Sequence, residues 1–234
     1  MRLAPNIQHP PVFRIPAVYP ILDAEMAAAG GHDLTGCARG FAALGLEVQQ
    51  LRAKTLPARD FLALAERLAG VVPRLIINDR ADIARLAGAA GVHLGQEDLP
   101  AAALAGTGWE HLAIGVSTHN LEQIEAQIAA GANDGRGPQR GSAARPAYAR
   151  PSYLAIGPIY ATASKRHPDP VVGLEGLAQA RRVYAGPLVA IGGITLGQCA
   201  AVRRAGADAV AVISALWASP DPVEAARQLL LASA

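Results

Sequence analysis

Short apolar runs rich in β-branched residues alternate with longer Ala/Leu-rich stretches of helical period along the whole chain. The runs predict strands over Ala17–Leu22, Glu47–Leu51, Arg74–Ile77, Gly91–Leu94, Leu112–Val116, Tyr153–Ile156, Leu188–Ile191 and Ala209–Ile213. The stretches between them predict helices near Leu34–Leu44, Ala58–Ala69, Ala81–Ala89, Leu99–Ala103, Leu121–Ala130, Leu174–Val183, Leu196–Ala205 and Pro222–Ala232. Strands and helices in strict alternation predict an α/β fold, a single (β/α)8 TIM barrel with a closed parallel sheet. The alternative is an open doubly wound sheet. Its GxGxxG phosphate fingerprint is missing after the first strand, where the chain reads Asp23-Ala24-Glu25-Met26.

Two stretches break the rhythm. Residues 1–16 carry four prolines and read as an irregular arm ahead of a barrel over 17–234. Residues 132–151 are rich in Gly, Pro and Ala with four arginines, and read as a loop insertion between helix and strand. That junction belongs to the non-catalytic face of a barrel, so a solvated loop is the plain expectation.

The 234-residue length suits one barrel of this kind. Half of the chain is apolar but only 4% is aromatic, so the core must be built from aliphatic side chains. No apolar run approaches the roughly 18 residues of a membrane span. The amino-terminal residues lack the apolar stretch of a secretory signal. Cys37 and Cys199 show neither metal spacing nor disulfide density, and a cytoplasmic location is expected. A net charge of +2 gives no footprint for nucleic acid. Of the 21 basic residues only Lys54 and Lys165 are lysines. A compact ammonium is not equivalent to a guanidinium, so these two positions draw attention.

Barrel active sites gather where strands end. Gln50, Arg52 and Lys54 end strand 2, Asn78 and Asp79 strand 3, and Asp98 follows strand 4. Ser117 and His119 end strand 5, and Thr162, Ser164 and Lys165 follow strand 6. Gly192 and Gly193 end strand 7, and Ile213 and Ser214 end strand 8. Both lysines therefore fall on this rim. Two glycines admit a ligand close to the backbone, and neighbouring helix starts offer N–H groups to a phosphate; a mere tight turn is the plainer account. Asp79 and Asp98, on adjacent strands, can share a Mg²⁺ with diphosphate oxygens and water. Each can instead cap the helix that follows it. Arg52, Lys54 and Lys165 can clamp phosphates or be solvated surface cations. His119 is a candidate base or simply a helix-start residue. His93, inside strand 4, reads as packing or as support for a neighbour. No zinc-like cluster and no GxSxG elbow are present in the sequence.

The segments QLRAK (50–54), IIND (76–79), GVHLGQEDLP (91–100), GVSTHN (115–120), AIGPIYATASK (155–165), AIGGI (190–194) and VAVISAL (210–216) together resemble, in order, the motif series of the thiamine-phosphate synthases. The resemblance covers the chain from about Val18 onward. It implies that hydroxymethylpyrimidine diphosphate loses pyrophosphate to give a pyrimidinylmethyl cation. The nitrogen of thiazole phosphate then captures that cation, giving thiamine phosphate. On this resemblance Gln50, Arg52, Lys54 and Asn78 would hold the pyrimidine diphosphate, and Asp79 and Asp98 the Mg²⁺. Ser117 would touch the pyrophosphate and Lys165 balance its charge, making these two with Arg52 the catalytic set. Thr162, Ser164, Gly193, Ile213 and Ser214 would form the thiazole-phosphate side. The partners implied are small phosphorylated heterocycles, with no nucleic acid and no membrane; a homo-oligomer is compatible with this reading. The chain departs from the family pattern in three places: Ser164 stands where Thr is usual, Ser152 stands where an Asp often begins strand 6, and the 132–151 loop is long.

Three rivals remain at this level. A thiazole tautomerase-like isomerase resembles the chain at IINDR and the Gly-Gly loop, but its pattern lacks Gln50, Lys54 and Asp98. A Schiff-base aldolase needs an uncharged lysine, which a phosphate neighbourhood around Lys165 disfavours. A non-catalytic barrel that only binds thiamine or thiazole phosphate has no use for a set that stabilises a leaving group.

Overall fold

Successive residues of a strand face opposite sides of its sheet, and here the two parities separate into two cores. The structure is a computed structural model that describes residues 14–104, 112–132, 151–162 and 169–233. Eight parallel strands close in sequence order: β1 (Val18–Asp23), β2 (Val48–Arg52), β3 (Arg74–Asn78), β4 (Gly91–Leu94), β5 (Ala113–Thr118), β6 (Tyr153–Ile156), β7 (Leu188–Ile191) and β8 (Ala209–Val212), with β8 pairing back to β1. One parity, including Leu22, Leu51, Ile77, Leu94, Val116, Ile156 and Val212, joins the outer core against the helices. The other parity, with Tyr19, Ile21, Val48, Ile76, Tyr153, Ala155, Val189, Ala209 and Ala211, fills the barrel.

The outer ring consists of α1 (Ala24–Ala29), α2 (Leu34–Ala43), α3 (Ala58–Ala69), α4 (Ala81–Leu86), α5 (Leu121–Ala132), α6 (Gly173–Val183), α7 (Cys199–Arg204), α8 (Ser214–Trp217) and α9 (Pro222–Ala232). In α3 the buried Phe61, Leu64, Ala65 and Leu68 follow the i, i+3, i+4, i+7 stripe expected of a helix lying on a sheet. The side chain of Asp221 receives the N–H groups of Val223 and Glu224 and starts α9, with Pro222 in its first turn.

All eight predicted strands are present within two residues of their expected ends. The helices differ more. The expected helix near Leu99–Ala103 is one 3-10 turn, Ala101–Leu104. The expected Leu196–Ala205 helix begins as a 3-10 turn over Leu196–Gln198, closed by reciprocal bonds between Thr195 and Gln198. The short helices α1 and α8 were not anticipated, because six and four residues give too little periodicity to read. They sit at the ends of β1 and β8. Trp217 in α8 donates its indole N–H to the Ile21 carbonyl at 2.8 Å, tying the last strand's loop to the first strand.

The opposite, amino-terminal face is held by Arg181. Its guanidinium bonds Asp208 and the carbonyls of Tyr184 and Gly186, bridging α6 to the entry of β8. Ser152 receives the Ile114 N–H at the start of β6, so the residue that departs from the family pattern still supplies an acceptor there. The arm over 1–16 and the insertion over 132–151 lie almost wholly outside the described residues. No helix among the described residues is long and apolar enough to cross a membrane.

Candidate active site

The carboxyl ends of the strands carry the polar residues expected there. Gln50 and Arg52 lie in β2, Asn78 ends β3, Ser117 lies in β5, and Lys54, Asp79, Asp98, Thr162, Gly193 and Ile213 follow their strands, with Ser214 opening α8. Because the eight strands are parallel and closed, these positions share one rim. Ser164 and Lys165 lie outside the described residues.

The acidic centre is built between β2, β3 and β4. Lys54 donates its ammonium to Asp79 Oδ2. Asp79 has φ +64, the only positive value of a non-glycine among the described residues, and its N–H bonds the His93 carbonyl at 2.8 Å. A left-handed backbone is costly for most side chains but tolerable for Asp, and such conformations cluster at functional sites. Asp79 does not cap α4; the cap position is Arg80, without a side-chain bond. Asp98 is likewise no helix cap: its Oδ2 folds back onto the Gly95 N–H at 2.6 Å. Burial, opposed by the Gly95 N–H, and then the facing Asp79 charge hold the Asp98 carboxyl above the usual carboxylate range. A carboxyl raised by a facing carboxylate gains from a cation placed between the two. The described residues contain no group of three or more His, Cys, Asp or Glu able to hold a metal. Mg²⁺ is commonly bound through one or two carboxylates, with water and substrate phosphates completing its shell, so this donor set fits it.

Arg52 is pinned by a residue that sequence reasoning missed. It donates to Asp23 Oδ2 at 2.5 Å, while Asp23 Oδ1 receives the Met26 N–H at 2.9 Å and starts α1. Asp23 is only 1% exposed, and both of its carboxylate oxygens have a partner. Arg52 itself is partly exposed towards the rim. Beside it, burial raises the Glu25 carboxyl, but the Thr55 N–H and hydroxyl outweigh that and lower it. Asp23 was legible only as the residue where a glycine motif failed to appear.

Ser117 stands on a buried polar base. His93 bonds Ser117 Oγ through Nε2 at 2.8 Å and Tyr153 Oη through Nδ1 at 2.9 Å. Tyr153 meets Tyr19 Oη at 3.0 Å, and Gln50 donates its amide to Tyr19 at 3.1 Å. His93 thus supports a neighbour rather than merely packing. The two tyrosines were missed; their signal was an aromatic hydroxyl on the inner parity of two strands.

His119 is held through one ring nitrogen. Its Nδ1 lies 2.6 Å from the Gly157 carbonyl and 3.6 Å from Asp169, bridging β5 to the segment after β6. Asn120 caps α5 by receiving the Gln123 N–H.

At the other side, Gly192 and Gly193 have φ +98 and +66. A Cβ on Gly193 would lie 2.5 Å from the Ala161 carbonyl oxygen, and one on Gly192 2.6 Å from Pro158. Tyr160 donates its N–H to the Gly192 carbonyl at 3.0 Å. The pair therefore lets residues 158–161, after β6, lie against the end of β7.

Comparison with known proteins agrees with this geometry. The family model described as thiamine monophosphate synthase matches residues 18–216. A thiamine-phosphate synthase of Koribacter versatilis is 43% identical over 88% of this chain and 92% of its own length. One from Albidiferax ferrireducens is 39% identical over 92% of each. Among solved structures, thiamine phosphate pyrophosphorylase from Pyrococcus furiosus superposes with a TM-score of 0.75 at 26% identity, covering 92% of this chain and 94% of that one. A match spanning all eight strands and every rim segment leaves one assignment: the chain belongs to the thiamine monophosphate synthase family.

Proposed function

We propose that this protein joins hydroxymethylpyrimidine diphosphate to thiazole phosphate, releasing pyrophosphate and giving thiamine phosphate, with Mg²⁺ held by Asp79 and Asp98. The observation that carries the reading is the facing Asp79–Asp98 pair beside Lys54, on the same rim as Arg52 and Ser117. That is a place for a diphosphate with its cation. Family membership names the heterocycles.

Each residue then has a task. Lys54 is a movable point charge that can leave Asp79 for a phosphate oxygen. Arg52, held by Asp23, presents a guanidinium of fixed direction. Gln50 and Asn78 supply amides to the pyrimidine diphosphate, and the Ser117 hydroxyl faces the departing pyrophosphate. Thr162, Gly193, Ile213 and Ser214 border the thiazole phosphate, and Ser164 and Lys165 join them on the strength of their motif. Bound Mg²⁺ would neutralise charge on the leaving group. The protein's own contribution is to hold both partners in line and to aim donors where charge develops.

The test mixes the two phosphorylated heterocycles with the purified chain and Mg²⁺ and follows thiamine phosphate and pyrophosphate. Formation of both in equal amounts, stopped by EDTA and restored by excess Mg²⁺, is the expected result. Isomerisation of a thiazole phosphate without coupling would overturn the reading, and turnover unaffected by EDTA would remove the metal from it.

A further inference from the structure

Under the rim, five side chains from five strands form one unbroken hydrogen-bond chain: Gln50, Tyr19, Tyr153, His93 and Ser117, with links of 3.1, 3.0, 2.9 and 2.8 Å. Tyr19, Tyr153 and His93 are all buried. Each hydroxyl has one proton and a neutral imidazole has one, so a Ser117 proton turned outward sets every link beneath it. With that orientation the Gln50 amide donates to Tyr19, Tyr19 donates to Tyr153 and Tyr153 donates to His93 Nδ1. His93 must then carry its proton on Nε2 and donate to Ser117 Oγ. The Ser117 proton is left to point outward. In the opposite order the Ser117 proton turns inward to His93, and only an acceptor faces the rim. Phosphate oxygens are all acceptors, so only the first order suits a diphosphate. Burial keeps both phenols protonated well above their usual range.

The room for this chain is specific. A Cβ on Gly115 would sit 2.3 Å from Tyr153 Oη and 2.6 Å from His93 Nδ1, so the absence of a side chain there permits the Tyr153–His93 link. The His93 and Tyr153 rings stack at 5.5 Å, and the Tyr19 and Tyr153 rings meet edge to face at 5.9 Å, which holds the oxygens in line.

We infer that Tyr19, Tyr153 and His93 are positioning residues that fix His93 as the Nε2–H tautomer and thereby preset Ser117 as a hydrogen-bond donor to the substrate's diphosphate. This rests on the synthase reading for its substrate, but not for its proton order. The test is ¹⁵N-histidine NMR of the full chain without substrate, with the His93 signal assigned by its loss in His93→Gln. The expected spectrum has a protonated Nε2 and an unprotonated Nδ1. In Tyr153→Phe the donor to Nδ1 is gone, and the signal should move to a mixture of tautomers. Steady-state kinetics should show kcat down at least tenfold in Tyr153→Phe with KM changed less than threefold. Combining it with Ser117→Ala should cost no more than Ser117→Ala alone. An Nδ1–H tautomer in the unmodified chain, or losses that multiply in the double variant, would overturn the inference. Tyr19→Phe, which cuts the same chain further from His93, serves if Tyr153→Phe does not fold. An inactive protein with the expected tautomer would overturn the synthase reading and leave the proton order standing.

Discussion

Lys54 and Asp79 form an ion pair at the rim while Asp79 holds a left-handed backbone at φ +64. The residue proposed to carry a cation therefore already has an ammonium on it, and its peptide geometry is one that few residues accept. Asp79→Asn should keep the backbone, staying within about 1 kcal/mol of the parent stability, since Asn also tolerates this region. Asp79→Val should lose about 1–3 kcal/mol, because a β-branched side chain is strained there. Urea denaturation of the two variants measures the difference.

Asp98 gives a pH-dependent prediction. Its folded carboxyl titrates above the usual carboxylate range, from burial and the Asp79 charge. A raised carboxyl favours the folded state while protonated, so that benefit is fully present below the unfolded value and disappears as pH rises through the folded one. Asp98→Asn removes the charge, so in metal-free buffer its melting temperature should gain on the parent at neutral pH and show little gain below the carboxylate range. The same variant should weaken Mg²⁺ dependence of turnover at least about tenfold. An unchanged Mg²⁺ titration would take Asp98 out of the metal site.

Asp23 offers a way to loosen Arg52 without touching it. Asp23→Ala removes the carboxylate that directs the guanidinium and also the side-chain cap of α1. The cap alone is worth about 0.5–2 kcal/mol. A KM for the diphosphate substrate raised several-fold, with a smaller drop in kcat, is the expected kinetic result. Loss of stability with unaltered KM would mean that Asp23 serves only the helix.

Gly115→Ala tests the fit inside the barrel. The added methyl carbon would lie 2.1 Å from Tyr153 Cζ, so the ring must shift. Overpacking of this kind costs about 1–3 kcal/mol, measurable by thermal or urea unfolding. Pairing it with Tyr153→Phe removes one of the three tight contacts and should recover part of the loss.

The strands were legible because short continuous runs of Val, Ile, Leu and Ala stand out between the helical stretches, and their order alone implies a shared rim. Lys54, Asp79 and Asp98 could be named because strand ends are where barrel chemistry sits, and the structure brings the three together. Asp23 and the two tyrosines escaped notice for a physical reason. Their roles depend on partners 29 or more residues away, as Asp23 depends on Arg52 and Tyr19 on Tyr153. Nothing local in the sequence marks such pairings. The capping accounts of Asp79 and Asp98 were locally sensible and failed because each carboxylate found another use.

The indole bond from Trp217 to Ile21 has a bearing on assembly of the whole molecule. Ser214 stands three residues before that indole, so its place depends on the first strand having already docked beside the last. A partial barrel lacking β1 would keep most of the rim sequence yet leave the end of β8 without its anchor. Completion of the ring and completion of the ligand seat are thus one event, and a fragment should show neither.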